Sequence, residues 1–386
     1  MSENIVIALD AMGGDYAPDI VVKGVDLIRI RFPQARFLLF GDEVGLAPLL
    51  KEYPGVAKIC ELRHTDQAIK SEDKPSQALR KGRKSSMRLA IDSVRDGEAG
   101  AIVSAGNTGA LMAMAKFSLR MMQGIDRPAI ASVFPSPRGE TVMLDLGANV
   151  ECDADNLVQF AFMGADFARA VLGRVPPRIG LLNVGIEELK GNDTVKEAGD
   201  RLKAIENPPF VYQGFVEGDD ITRGTVDVIV TDGFTGNVAL KTAEGVVRMF
   251  SDFLRAGFSS SLMAKIGYLF SRGGLNILKE RLDPRAYNGG VLLGLNGICV
   301  KSHGGTDETG FANAIGVAIE MVSDDMIVKM KDHFEKFDMA AQMSNNAAAS
   351  DDEAENETSN NGTASPAEPK VGKSAGALED AGQNGN

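Results

Sequence analysis

Cysteine is scarce and scattered in this chain of 386 residues. Cys60, Cys152 and Cys299 are the only three, and no CxxC pair links them. They support neither a disulfide framework nor a zinc site, and no metal is expected. Histidine is equally rare, with His64, His303 and His333. No run of about 18 apolar residues occurs, so no membrane span is expected. No basic stretch followed by an apolar core opens the sequence, so no signal peptide is expected. A reducing cytoplasm is the expected setting. Basic residues are outnumbered too: the net charge is −12, and half of it falls in residues 341–386. A general nucleic-acid binder is therefore excluded. Two nucleotide signatures are also missing. There is no GxxxxGK[ST] loop and no GxGxxG with an acidic partner behind it, so no dinucleotide or other cofactor is expected.

What remains is an ordinary globular composition, 44% hydrophobic and 24% charged. Apolar strand patterns near 4–9, 36–40, 57–60, 100–104, 129–133, 141–145, 178–184, 226–231, 291–294 and 297–300 alternate with helical patterns. The helical patterns lie near 17–31, 76–96, 107–122, 153–172, 193–206, 235–256, 260–281 and 307–335. Such alternation predicts an α/β fold, a mainly parallel sheet with helices on both faces. The closely spaced pairs near 129–145 and 291–300 predict antiparallel additions. Residues 235–285 break the alternation as a helical hairpin. Its junction carries Phe258, Leu262, Met263, Ile266, Tyr268, Leu269 and Phe270, and the expectation is packing in a core or dimer, or a tip that touches a bilayer surface. The catalytic domain is expected over 1–340 with this hairpin inside it. Residues 341–386, poor in bulky side chains, are expected to be a disordered acidic tail.

Five polar turns follow apolar strands. The first is Asp10-Ala-Met-Gly-Gly-Asp15, where Gly13 and Gly14 allow close backbone approach between two carboxylates. The second runs from Ser104 through Gly106, Asn107, Thr108 and Gly109 into an apolar helix. Free N–H groups and the helix dipole there favour an anion. The third carries Asp145 and Asn149, the fourth Lys190 beside Gly191 and Asn192, and the fifth Asp232 and Asn237. A lysine in such a loop is a natural partner for phosphate. His303, at a strand end before Gly304, can reach a ligand and donate a proton. Arg80, Lys81, Arg83 and Lys84, with Arg88 close behind, form the densest basic cluster.

The segments IALDAMGGDYAPDIVVKG, KPSQALRKGRKSSM, SAGNTGALMA, MLDLGANVEC, LLNVGIEELKGND, VDVIVTDGFTGNVALKTAEG and GLNGICVKSHG occur in this order. Together they resemble the acyl-(acyl carrier protein):phosphate acyltransferases of bacterial phospholipid synthesis, over about residues 5–335. The resemblance implies transfer of a fatty acyl group from acyl carrier protein to inorganic phosphate. The acyl phosphate would feed a membrane glycerol-3-phosphate acyltransferase. It also implies a homodimer, loose membrane association, and a fold related to phosphate acetyltransferases and isopropylmalate-type dehydrogenases. One departure stands out. After Ser302-His-Gly304 the family usually has serine with serine or asparagine, whereas this chain has Gly305-Thr306-Asp307.

Phosphate is itself the nucleophile in that reaction, so none is needed from the protein. The turns would hold the anion through Asp10, Gly13, Gly14, Asp15, Ser104, Gly106, Thr108, Gly109, Asn149, Asn192, Asp232 and Asn237. Asn107 would serve as an oriented donor. Either Lys190 or His303 would help the thiolate leave. The basic cluster would steer the acidic carrier protein. Two rivals share some features: a short-chain phosphate acyltransferase that uses coenzyme A, and a membrane-associated scaffold.

Overall fold

The computed structural model describes residues 5–281, 283, 285 and 288–336. The compact unit to which they belong ends at Lys336. The expected acidic tail, 341–386, lies outside the described residues.

The first half alternates strand and helix: β1 (Val6–Asp10), α1 (Asp19–Arg31), β2 (Arg36–Gly41), α2 (Glu43–Glu52), the short α3 (Pro54–Ala57) and β3 (Cys60–His64). It continues through α4 (Pro75–Lys81), α5 (Ser86–Arg95), β4 (Ala101–Ser104) and α6 (Thr108–Leu119). A hairpin of β5 (Ala129–Ser136) and β6 (Gly139–Leu144) follows, then α7 (Ala154–Leu172), β7 (Arg178–Leu182), α8 (Asp193–Ala204), β8 (Val211–Val216), α9 (Asp220–Arg223) and β9 (Val228–Val230). Two long helices, α10 (Gly233–Ser259) and α11 (Leu262–Arg281), precede β10 (Gly290–Leu293), β11 (Ile298–Lys301) and α12 (Glu308–Ser323). A last helix covers 326–336.

The strands join one sheet in the order β3-β2-β1-β4-β11-β10-β5-β6-β9-β7-β8. The expected α/β class with a mainly parallel sheet is what is found. β3, β2, β1, β4 and β11 are mutually parallel. β10 is antiparallel to both β11 and β5, and β5 is antiparallel to β6. β6, β9, β7 and β8 are again mutually parallel. The second parallel set therefore runs opposite to the first.

One cross-sheet row passes through Leu9, Val103, Val300, Val291, Ala131, Leu144, Val230 and Leu181. All eight are almost fully buried and apolar, and so are most of their neighbours along the strands, as in a sheet covered on both faces. β1, β4 and β11 finish one residue past this row going one way. β6, β9 and β7 finish at it or one residue past it, going the opposite way.

Local departures from the sequence reading have local causes. The expected helix 76–96 is two helices, because the chain turns at Gly82 and Ser85 caps α5 by accepting the Arg88 N–H at 3.3 Å. The expected helix 307–335 breaks at Asp325, which takes a left-handed φ of 52°. The expected strand 57–60 lies at 60–64, since Pro54 starts the turn of α3 before it. The strand β8 and the helices α2 and α9 were not anticipated by the periodicity.

The close approaches test this packing. A Cβ on Gly236 would lie 1.9 Å from the Asp145 carbonyl oxygen, a backbone atom that cannot yield. Gly236→Ala should cost about 1–3 kcal/mol or more in urea unfolding. Gly245→Ala meets nothing within 4 Å on exposed α10, and should be neutral or stabilising by up to about 1 kcal/mol.

Candidate active site

Asp10, Ser104 and Lys301 each stand one residue past the row, on three neighbouring strands. Parallel pairing places them side by side at one edge of the sheet. Asp10 is 1% exposed. Its carboxylate accepts the Ser86 hydroxyl at 2.6 Å and the Ser104 hydroxyl at 2.6 Å, with the Met12 N–H at 3.3 Å. These bonds tie β1, α5 and β4 together. Burial nevertheless holds the Asp10 carboxyl above the usual range, with the three hydrogen bonds and Lys301 opposing it.

The glycine turns close over this row. A Cβ on Gly13 would sit 2.4 Å from Asp10 Oδ2 and 2.8 Å from the Gly106 nitrogen. Gly14 has φ +103° and backs onto Ala105 and the Gly304 carbonyl. The Asp15 N–H donates to that carbonyl at 2.9 Å. The Gly106 N–H donates to Ser104 Oγ at 3.0 Å. The loop after β11 completes the cluster. Asn288 donates to Ser302 Oγ at 2.8 Å and to Thr306 Oγ1 at 3.2 Å, and it accepts the His303 N–H at 3.0 Å. His303 itself is exposed. The departure at Gly305-Thr306-Asp307 has a clear structural use. Asp307 caps α12 through the Gly310 N–H at 3.0 Å and pairs with Arg285 at 2.7 Å.

Asn107 is placed differently from expectation. Its Oδ1 accepts the Ala110 N–H, capping α6, and its Nδ2 donates to the carbonyls of Lys70, Ser71 and Asp73. The side chain is thus spent on pinning segment 70–73 and has no donor left for phosphate. Thr108 is exposed and Gly109 packs beside Pro75 at the same helix start.

The remaining turns stand apart. β6, β7 and β9 run against β1, β4 and β11 but end within one residue of the same cross-sheet row, so their turns leave that row in the opposite direction and are displaced along it. β1 and β6 are five strand spacings apart, about 24 Å. Asp145 accepts N–H groups of Ile130, Gly147, Ala148 and Asn149. Asn149 donates to Asp145 and to the Pro128 carbonyl. Asp232 caps α10 through Thr235, and exposed Asn237 lies opposite Gly147. Asn192 caps α8, while Lys190 is exposed in the preceding turn. The five turns therefore form two groups. Asp10, Gly13, Gly14, Asp15, Ser104, Gly106, Thr108, Gly109 and His303 gather in one. Asn149, Lys190, Asn192, Asp232 and Asn237 lie in the other.

Arg80, Lys81, Arg83 and Lys84 are all exposed on α4 and the turn after it. Arg88 is not part of that face: it is buried, pairs with Asp92 at 2.9 Å and covers the Phe117 ring. The basic face adjoins the first group, because α4 follows the segment that Asn107 pins. Lys301, Ser86 and Asn288 were not singled out from sequence. Lys301 alone left a trace, as a charged residue closing an apolar strand. Among the described residues, no group of three metal-ligating side chains is present.

A sheet of this order and direction, with polar turns at its strand ends, defines an α/β fold with a mainly parallel sheet. Solved structures share the fold: a phosphotransacetylase from Streptococcus pyogenes (TM-score 0.58, 16% identity, covering 84% of this chain and 95% of that one) and another from Staphylococcus aureus (TM-score 0.57, 16% identity, 83% and 94%). The family model described as "Fatty acid synthesis protein" matches residues 5–329, and the chain belongs to that family. Its relatives include the phosphate acyltransferases of Paramagnetospirillum magneticum and Rhodospirillum centenum. Each is 58% identical, covering 87% and 89% of this chain and 95% and 96% of theirs.

The Asp10 cluster predicts a graded response. Asp10→Ala leaves two buried hydroxyls without their acceptor and should cost about 1–3 kcal/mol. Ser86→Ala and Ser104→Ala each remove one bond and should cost less, about 0.5–1.5 kcal/mol. Denaturant melts of the three variants check the order.

Proposed function

We propose that this chain transfers a fatty acyl group from the thioester of acyl carrier protein to inorganic phosphate. A phosphate oxygen attacks the thioester carbonyl carbon; the C–S bond breaks and the thiolate takes up a proton. The reading rests on the first turn group, which offers glycine backbone, the exposed Thr108 hydroxyl and a half-buried lysine to an anion. The thiols argue against a cysteine nucleophile. Burial pushes Cys60 and Cys299 up to about 12 and Cys152 up to about 11, so they stay protonated at neutral pH. Ser86 and Ser104 donate to a carboxylate rather than to a histidine, unlike an activated serine.

In this reading the backbone of Gly13 and Gly14 orients phosphate, and His303, exposed at the mouth, is placed to protonate the departing thiolate. Lys190, Asn192, Asp232 and Asn237 belong to the second group of turns, and the active unit is a homodimer. The product, an acyl phosphate, suits a membrane acyltransferase that acylates glycerol 3-phosphate. Purified protein should form acyl phosphate from palmitoyl-carrier protein and phosphate, and not from acetyl-coenzyme A. Reversing Arg80, Lys81, Arg83 and Lys84 together should weaken the carrier protein about tenfold or more at low salt and flatten the salt dependence. Acyl phosphate formed only from the coenzyme A ester would replace this reading with the short-chain one.

The hairpin fits a cytoplasmic enzyme that works at the inner membrane surface. Among the described residues, no helix is long and apolar enough to cross a membrane. At the hairpin tip Leu262, Met263, Leu269 and Phe270 are 65–85% exposed, and Ile266 is 44% exposed. Phe258 is half-buried, edge-on to Tyr268 at 5.5 Å. Each inserted side chain contributes at most about 1.5–3 kcal/mol, so several must act together. Replacing Leu262, Ile266 and Leu269 by Gln should abolish co-sedimentation with anionic vesicles and spare soluble activity. Loss of folding or of the dimer would instead make these side chains interface.

A further inference from the structure

We propose that Lys301 is the fixed cation of the phosphate cradle, holding the attacking anion against the Gly13–Gly14 backbone. The proposal rests on the acyl-transfer reading above and names the residue that supplies the positive charge in it.

The sheet register places Lys301 there. It pairs with Ser104 on β4, and Ser104 bonds Asp10 on the next strand. Its Nζ donates to the Ala105 carbonyl at 3.3 Å and to the Ser302 carbonyl. An ammonium has three donors, so one N–H remains for a ligand oxygen. Ala105 is also the residue against which Gly14 packs, so the ammonium stands where the Asp10, Ser104 and His303 turns meet. Asp10 and Asp15 attract the ammonium through space, but its hydrogen bonds go to neutral carbonyls. A half-buried ammonium with a donor to spare gains from a charge-assisted bond to a phosphate oxygen. Lys190, the lysine that the loop pattern favoured, is exposed in the second group of turns.

Burial lowers Lys301 to about 8, against the pull of Asp10, Asp15 and Cys299. The charge is therefore present below that pH and is lost as pH rises through it. The groups facing it are Asp10 and Asp15 from the β1 turn, Cys299 from β11 and His303 from the loop beyond. Phosphate titrates in the same region, so sulfate, which does not, is the better probe.

The experiment measures sulfate binding to the full chain by calorimetry from pH 6.5 to 9.5, with phosphate KM determined alongside. Sulfate affinity should hold steady below about pH 7 and fall about tenfold per pH unit above about 8. Lys301→Met should raise phosphate KM about 10- to 100-fold, the loss of one hydrogen bond from a charged group, and leave the acyl-donor KM within about threefold. Its sulfate profile should be weak and flat. Lys301→Arg should keep sulfate binding at pH 9, and His303→Gln should keep the step near 8. A flat wild-type sulfate profile, or an unchanged phosphate KM in Lys301→Met, overturns the assignment. If Lys301→Met does not fold, the wild-type profile and Lys301→Arg decide it. Absence of acyl phosphate formation by the wild type would sink the reaction instead, while sulfate binding still tests the lysine.

Discussion

Strand direction reverses between β11 and β6, and the position of every polar turn follows from that reversal. β10 lies antiparallel to both of its neighbours, and β5 is antiparallel in turn to β6. A strand delivers its C-terminal turn in the direction in which it points. Asp10, Ser104 and Lys301 therefore emerge together from neighbouring strands, whereas the turns of Asp145, Lys190 and Asp232 leave the same cross-sheet row in the opposite direction, several strands away. The row from Leu9 to Leu181 is buried and apolar throughout.

Within the first group, charge is balanced by burial more than by pairing. Asp10 is nearly inaccessible and is held by hydroxyl and amide donors. Lys301 hydrogen-bonds to carbonyls, and Asp10 and Asp15 act on it only through space. In the proposed reading a phosphate oxygen takes its remaining donor beside the glycine backbone.

The donor side is linked to the anion side through Asn107. Its amide grips three carbonyls of segment 70–73 while its oxygen caps α6. The basic residues of α4 follow that segment directly. A carrier protein that docks on Arg80, Lys81, Arg83 and Lys84 would thus arrive beside the first group of turns.

The α/β class, the antiparallel pairs, the hairpin and the existence of five polar strand-end turns were all legible in the sequence. Each of these is written in local periodicity and in glycine placement, which short-range sterics translate directly into strand, turn or helix. It also carried the resemblance to the phosphate acyltransferases, through long ungapped motifs. Tertiary structure alone decided which turns share a site, because strand order and direction depend on pairing between residues a hundred or more positions apart. It turned Asn107 from a donor into a latch, since its partners lie more than thirty residues away in sequence. It removed Arg88 from the basic face and brought in Ser86 and Lys301. A lysine at the end of an apolar strand looks like a solvated terminus until the register sets it beside Ser104 and Asp10, where burial changes what its charge can do.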